Sequence, residues 1–180
     1  QIQWFKERKI VLRYADLNNQ YDLTKALLGC RSLINVASIA FGTIPTIISS
    51  CNKVGIERAV FISSTAIFTK LKARSKESRL EAEELIKQSS LEWTILRPTM
   101  IYGTQNDRNM IKLIRYIDKY WILPVFGNGK SLQQPVYVKD VAWSAVEVVH
   151  SKNTVNKSIN IVGSNSISFN NIVNIIFKIL

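Results

Sequence analysis

The sequence predicts an α/β domain with a doubly wound, mostly parallel sheet. Three observations carry that expectation. Short strand-like segments alternate with helix-like segments along most of the chain. The strands, "RSLINVAS" and "RAVFISS" among them, are apolar through their centres instead of alternating with polar residues. Such strands need helices on both faces of a parallel sheet. Helix start and stop residues also fall at the expected offsets, with Gly29 and Gly55 just beyond two helical segments.

Taken in order, "KIVLRYADL" reads as a short strand ending at Asp16, and "NNQYDLTKALLGC" as a helix with Asn19 or Asp22 near its start. "RSLINVAS" is a second strand. "TIPTIISSCNKVG" is a helix that tolerates Pro45 in its first turn. "RAVFISS" is a third strand. A charged helix spans roughly Ser75 to Gln88, where "SRLE" from Ser78 fits a capping box. "EWTILRP" is the next strand and "DRNMIKLIRYIDKY" the next helix. The last third holds "PVFGNGK", "QQPVYV", the helix "KDVAWSAVEVVH" with Asp140 as its cap, the strand "SINIVG", and the helix "SFNNIVNIIFKIL".

At 180 residues, 47% hydrophobic and 21% charged, the chain is long enough for one real core and too apolar for disorder. Cys30 and Cys51 show neither metal nor disulfide spacing, which favours a reducing, cytoplasmic setting. His150 stands alone, so no zinc cluster is expected. No apolar run approaches the roughly 20 residues of a membrane span, and no cleavable signal segment is expected at the front. The formal charge of +11 suits either an anionic partner or scattered surface lysines. No nucleic-acid motif accompanies it, so nucleic acid is not an expected partner.

Five segments in the right order resemble the extended short-chain dehydrogenase/reductase family, the NAD-dependent epimerase/dehydratase-like branch. "ADL" at Ala15–Leu17 is similar to the family's Gly-Asp-Leu; "LINVAS" to the strand end that meets the cofactor; "FISSTAIF" to the strand bearing the catalytic serine; "TILRPTMIYG" to Arg-Pro-x-Asn-x-Tyr-Gly; and "PVFGNGKSLQQPVYVKDVA" to the later substrate-side segment. The resemblance implies a Rossmann-type fold that binds NAD or NADP. It implies cofactor contacts at Asp16, Leu17, Ala37, Ser38, Ser63 and Pro98, and a catalytic position at Ser64. Residues 1–123 would form a partial NAD(P)-binding Rossmann-type domain, and residues 124–180 a smaller substrate-side region of the same domain. The family's first strand-helix-strand unit, with its glycine-rich phosphate turn, has no counterpart here. The expectation is a chain lacking that unit, with cofactor binding weakened accordingly.

"RLEAEELI" resembles the family's Lys-x-x-x-Glu-x-Leu-Val, anchored on Glu83, Leu85 and Ile86. That register puts Arg79 at the lysine position, Ser75 at the tyrosine position, and Met100 where the family's asparagine stands. The connection from Phe68 is short by roughly a dozen residues against the usual member, and binding loops vary most on a fixed scaffold. In the family the phenol moves the substrate proton, and the lysine, one turn on, lowers its pKa from about 10. Serine is too weak an acid for that task, and arginine is a permanent cation.

Each candidate also has a structural reading. Ser63 and Ser64 suit a strand end, Arg79 suits a surface pair with Glu83 or a phosphate contact, and "KLKARSK" suits a solvated loop. Tyr102 and Tyr137 are alternative acids. Gln133 and Gln134 stand where nucleotide-sugar epimerases carry an Arg-Asp pair. That form, with "YGTQNDRNM", resembles the atypical branch that includes the dehydrogenase-like accessory subunit of respiratory complex I. Three readings follow: an NAD(P)-binding protein with a degenerate Tyr-Lys pair and weak turnover; an active nucleotide-sugar epimerase, dehydratase or reductase with a relocated acid; or an assembly module whose basic face meets an anionic partner or a membrane surface. The expected small-molecule partners are a dinucleotide and, for the second reading, a nucleotide-sugar.

Overall fold

The computed structural model describes residues 2–70, 74–107, 109–125 and 127–180. In chain order these form α1 (Ile2–Glu7), α2 (Gln20–Leu27), β1 (Ser32–Asn35), α3 (Ile44–Val54), β2 (Arg58–Ile62), α4 (Arg74–Lys87) and β3 (Glu92–Pro98). There follow β4 (Ile101–Tyr102), α5 (Met110–Tyr120), β5 (Leu132–Gln133), β6 (Val136–Tyr137), α6 (Val138–His150), β7 (Lys157–Ile161), β8 (Ile167–Ser168) and α7 (Phe169–Ile179).

Local chemistry sets the boundaries. The Asn19 side chain accepts the Tyr21 and Asp22 amides at 3.0 and 3.3 Å and so starts α2. Pro45 sits in the first turn of α3, and Gly55, at φ 75°, ends it in the left-handed region. A hydroxyl caps α7, where Ser168 Oγ accepts the Asn171 amide at 3.2 Å.

The central sheet runs β1-β2-β3-β7, every pair parallel. Successive residues of a strand point to opposite faces, and both faces here are covered. Ala59, Phe61 and Ile95 pack against Leu23 of α2, Ile44, Ile47 and Cys51 of α3, and Ala82 and Ile86 of α4. Val60 and Leu96 pack against Ala145 and Val148 of α6. A separate small core joins Ile117 of α5 to Ile172, Val173 and Ile176 of α7. The expected parallel α/β fold is therefore present. Two short pairs complete it: β4 with β6 (parallel) and β5 with β8 (antiparallel).

Several expectations need correction. "KIVLRYADL" is not a strand. Val11 and Tyr14 are 76% and 81% exposed, because the sheet ends at β1 and no described strand lies alongside this segment. Arg13 instead donates to the Ala26 and Leu28 carbonyls at the end of α2, at 2.8 and 2.6 Å. The α1 helix ahead of it was not anticipated. Trp4 and Phe5 meet edge to face there, with Arg8 over the indole at 4.1 Å. Ser78 does not cap α4, which already begins at Arg74 and carries Ser78 inside it. Asp140 is not the cap of α6 either. Tyr137 holds that position, and Asp140 lies in the first turn, where its charge suits the helix dipole. The "KLKARSK" run is not a loop throughout, since its last three residues open α4; its residues 71–73 and Phe126 of "PVFGNGK" lie outside the described residues. Among the described residues, no helix is long and apolar enough to cross a membrane, and no group of side chains could hold a metal ion.

Arg58 fastens the amino-terminal end of the sheet to α6. Its guanidinium donates to the Glu92 carbonyl at 2.6 Å, the Thr94 hydroxyl at 2.7 Å, the Thr154 hydroxyl at 3.1 Å, and the Val148 carbonyl near the end of α6. Burial lowers the pKa of this arginine from its ordinary value. Replacing it with methionine strands those acceptors, so Arg58→Met should lose about 2–3 kcal/mol of unfolding free energy in a urea titration. Burial, with Cys30 nearby as a lesser cause, pushes the Cys51 thiol up to about 11, whereas Cys30 is exposed. A folded pKa above the unfolded one favours the fold while the thiol stays protonated. That stability is full below pH 9 and is lost as pH rises toward 11. In native protein at pH 8 a thiol reagent should titrate Cys30 alone, with Cys51 reacting only on unfolding.

Candidate functional site

Parallel strands covered on both faces leave their carboxyl ends as the open place for a ligand. A cleft of about 960 Å³ lies there. Its floor is made by Ser63, Ser64 and Thr65 following β2 and by Pro98, Thr99 and Met100 at and after β3; Asn106, Asp107 and Gln133 contribute further lining.

The floor is fixed from below. The Ser63 amide donates to the Leu96 carbonyl at 2.7 Å, and its hydroxyl donates to Glu83 Oε1 at 2.6 Å. Glu83, on α4, is 1% exposed. Arg97, near the end of β3, meets it with a fork: Nε lies 3.0 and 3.2 Å from the two carboxylate oxygens, and Nη2 donates to Oε2. The guanidinium also lies 5.5 Å from the Phe68 ring centroid. A carboxylate this buried is tolerated because every bond to it is charge-assisted or from a hydroxyl. One knot thus joins α4 to the ends of β2 and β3.

Of the residues named from the sequence, Ser63, Ser64, Pro98, Met100 and Gln133 share this cleft. Ser64 carries both of its readings at once. It lines the cleft, and its hydroxyl accepts the Ala66 amide at 3.2 Å to start the 3-10 turn Thr65–Phe68. Ser75 and Arg79 are not in the cleft lining. Ser75 is exposed, and the Arg79 guanidinium donates back to the Ser75 carbonyl at 3.1 Å. The expected Arg79–Glu83 surface pair does not form, since Glu83 points into the core toward Arg97. Asp16 closes a tight turn, accepting the Asn18 amide at 2.9 Å, while Leu17 packs on the main core. Ala37 and Ser38 follow β1. Ala37 accepts from the Asn35 side chain at 3.1 Å, and the Ser38 hydroxyl caps a 3-10 turn. These four stand outside the cleft lining.

The alternative acids go elsewhere. Tyr102 and Tyr137, with ring centroids 5.7 Å apart, line a neighbouring, mostly apolar cavity of about 490 Å³ between α5, α7 and the β4–β6 pair. The Tyr137 ring fills the space a side chain would need at Gly103, whose φ of 109° favours glycine in any case. Gln133 and Gln134 divide their roles: Gln133 lines the cleft, and Gln134 donates to the Gly163 carbonyl at 2.7 Å. Gly163 must lack a side chain, because a Cβ would overlap the Pro135 carbonyl oxygen. Arg108, the arginine of the Asp-Arg form, lies outside the described residues.

The sequence reading missed the Glu83–Arg97 pairing and the lining roles of Thr65 and Thr99. Glu83 had a signal: it falls between apolar Ala82 and Ile86 on the inward face of α4. The threonines had none beyond adjacency to named motifs.

Chemically, the described lining offers hydroxyls, amides and backbone groups. Its one ionisable side chain, Asp107, is occupied in starting α5, accepting the Asn109 and Ile111 amides at 3.0 and 2.9 Å. No tyrosine lines the cleft among the described residues. The arrangement offers polar groups that can grip a polar ligand.

Comparisons with known proteins agree with this architecture. Residues 1–152 match the family model described as NAD(P)H-binding. The chain is 35% identical over 92 residues to the mitochondrial NADH dehydrogenase (ubiquinone) 1 alpha subcomplex subunit 9 of Arabidopsis thaliana, a match covering 51% of this chain and 23% of that protein. It is 28% identical over 142 residues to the subunit of the same name from Mus musculus, covering 76% of this chain and 36% of that protein. The chain therefore aligns with well under half the length of these relatives. Among solved structures, UDP-glucuronic acid 4-epimerase from Bacillus cereus, in complex with UDP-glucuronic acid and NAD, superimposes with a TM-score of 0.81 at 19% identity, covering 97% of this chain and 68% of that one. MoeE5 in complex with UDP-glucose and NAD gives 0.80 at 16% identity, covering 99% and 76%. At such identities these structures speak for the fold.

The buried knot predicts a large and asymmetric mutational cost. Arg97→Met leaves the Glu83 carboxylate unpaired and should destabilise the chain by about 3–5 kcal/mol. Combining it with Glu83→Gln should cost clearly less than the sum of the single changes, as read from urea unfolding of all four proteins.

Proposed function

The chain belongs to the NAD(P)H-binding family, and from that premise we propose that it holds a nicotinamide dinucleotide as a bound, largely unreacted group. The observation that carries the reading is the cleft beyond β2 and β3, with no phenol in its described lining. It is lined by the Ser64 hydroxyl, the Gln133 amide and the hydroxyl oxygens of Ser63, Thr65 and Thr99, whose protons go to Glu83, Pro98 and Gln134 and whose lone pairs can accept. Such hydroxyl and amide groups fit the amide and ribose hydroxyls of a nicotinamide riboside, which is the end of the cofactor that belongs at this edge of the sheet. A bound dinucleotide would supply hydride chemistry. This chain's own residues would orient it, Ser64 and Thr65 from the β2 end and Thr99 from the β3 end. Asp16, Leu17, Ala37 and Ser38 would serve the adenosine half.

Ser75 and Arg79 occupy the positions of the family's proton-transfer pair. Their fixed chemistry, a serine hydroxyl and a permanent cation, supports weak or absent turnover. Glutamines at 133 and 134 in place of an Arg-Asp pair remove a charged clamp for a sugar diphosphate. The curated relatives are named as subunits of NADH dehydrogenase, which favours a structural or redox-sensing value for the bound cofactor over catalysis of a sugar reaction.

Calorimetry or fluorescence titration with NADH and NADPH tests the first half of this reading: saturable binding of at least one is expected, and failure of both to bind removes it. A panel of nucleotide-sugars with NAD present tests the second half. Turnover should fall at least about 10²–10⁴-fold below that of a Tyr-Lys enzyme of the same fold. Turnover at ordinary enzyme rates would establish an acid elsewhere.

A further inference from the structure

The solvent face of α5 carries a feature that cofactor binding does not use. Lys112, Arg115 and Lys119 recur at spacings of three and four along the exposed side, forming one basic stripe. Tyr116 and Tyr120 flank it, their rings 4.8 Å apart, and Lys119 Nζ stands 4.9 Å from the Tyr120 ring centroid. The helix ends in the left-handed region at Trp121. That turn throws Trp121 and Ile122 outward at 61% and 67% exposure. The indole is nonetheless braced, with its centroid 6.4 Å from that of Phe177 on α7, and the inner face of α5 is anchored by Ile117 in the small core. Lys178 and the largely exposed Ile179 follow Phe177 in sequence. The acid on this face is Asp118, at its edge.

These projecting rings line neither of the two cavities described above. Exposed Trp and Tyr rings seek a boundary between apolar and wet surroundings, and lysine and arginine stems lie along apolar matter while their heads reach outward. A row of cations beside projecting aromatic and aliphatic groups is complementary to an anionic lipid headgroup layer over acyl chains. The chain's net charge of +11 adds long-range attraction in the same direction.

We propose that the α5 face from Lys112 to Ile122 docks on an anionic bilayer surface, inserting Trp121 and Ile122 at headgroup depth while Lys112, Arg115 and Lys119 meet lipid phosphates and carboxylates. This surface is independent of the cofactor cleft.

The test is co-sedimentation of the purified chain with vesicles of phosphatidylcholine alone or mixed with phosphatidylserine. Binding should require phosphatidylserine and weaken with salt. Lys112→Gln, Arg115→Gln and Lys119→Gln combined should weaken it by roughly 100-fold, at about 1 kcal/mol per cation. Trp121→Ser with Ile122→Ser should weaken it while leaving the charge unchanged. All five positions are exposed, so the thermal unfolding midpoint should stay near that of the parent. The control neutralises Lys25, Arg31 and Lys53, which belong to α2, the turn before β1, and α3. An equal loss in the control would make the attraction a matter of overall charge and overturn the proposal. Absence of binding to either vesicle overturns it too, as does capture of a soluble protein by this face with no lipid affinity.

Discussion

A carboxylate at 1% exposure has lost nearly all its water, and the fold must replace that solvation with fixed donors. Glu83 receives them from the Ser63 hydroxyl at the end of β2 and the Arg97 fork near the end of β3. Removing Arg97 leaves the charge uncompensated in the core, and removing the Ser63 hydroxyl leaves one carboxylate oxygen short of a donor, so the three residues act as one unit. Their placement determines the cleft. The knot sits directly beneath the backbone of Ser63 and Ser64, and it fixes where α4 crosses the carboxyl ends of the two central strands. The order β1-β2-β3-β7 supplies the scaffold, while the knot supplies the floor.

The same placement bears on the proposal of weak turnover. With Glu83 turned inward, Arg79 one helical turn earlier folds back on the Ser75 carbonyl. On this part of α4 the Ser75 side chain is exposed and the Arg79 guanidinium is held against the helix backbone. Tyr102 and Tyr137, the alternative acids, line a different cavity, their rings tilted against each other, with Tyr137 packed over Gly103. Asp107 commits its carboxylate to two amides at the start of α5. Among the described residues, these side chains are held by packing or capping contacts away from the cleft or at its rim.

The elements that bury apolar residues on both faces were legible from sequence: β1, β2, β3, β7 and the helices between them follow the hydrophobic runs, and Gly55 stops α3 where expected. "KIVLRYADL" misled because strand-like composition says nothing about whether a neighbouring strand is there to pair with. Ser78 and Asp140 misled because a capping pattern fits more than one register, and tertiary packing chose an earlier start for both helices. At the cleft, Ser63, Ser64 and Pro98 were recoverable because they sit in short segments tied to strand ends. The Glu83–Arg97 pair spans 14 residues and two element types, so only packing reveals it. The separate core of Ile117 with Ile172, Val173 and Ile176 was similarly invisible, each helix showing its apolar stripe but not its partner.

The central claim is that the dinucleotide lies over the knot, at the carboxyl ends of β2 and β3. The most direct measurement is an NMR titration of isotope-labelled chain with NADH, following backbone amides residue by residue. The account predicts the largest shifts at Ser63, Ser64, Thr65 and Thr99, with Asn52 and Ser89 in the groove between α3 and α4 unmoved. Saturable binding that shifts the α3–α4 groove or the Tyr102–Tyr137 cavity, and leaves Ser64 and Thr99 in place, would contradict it.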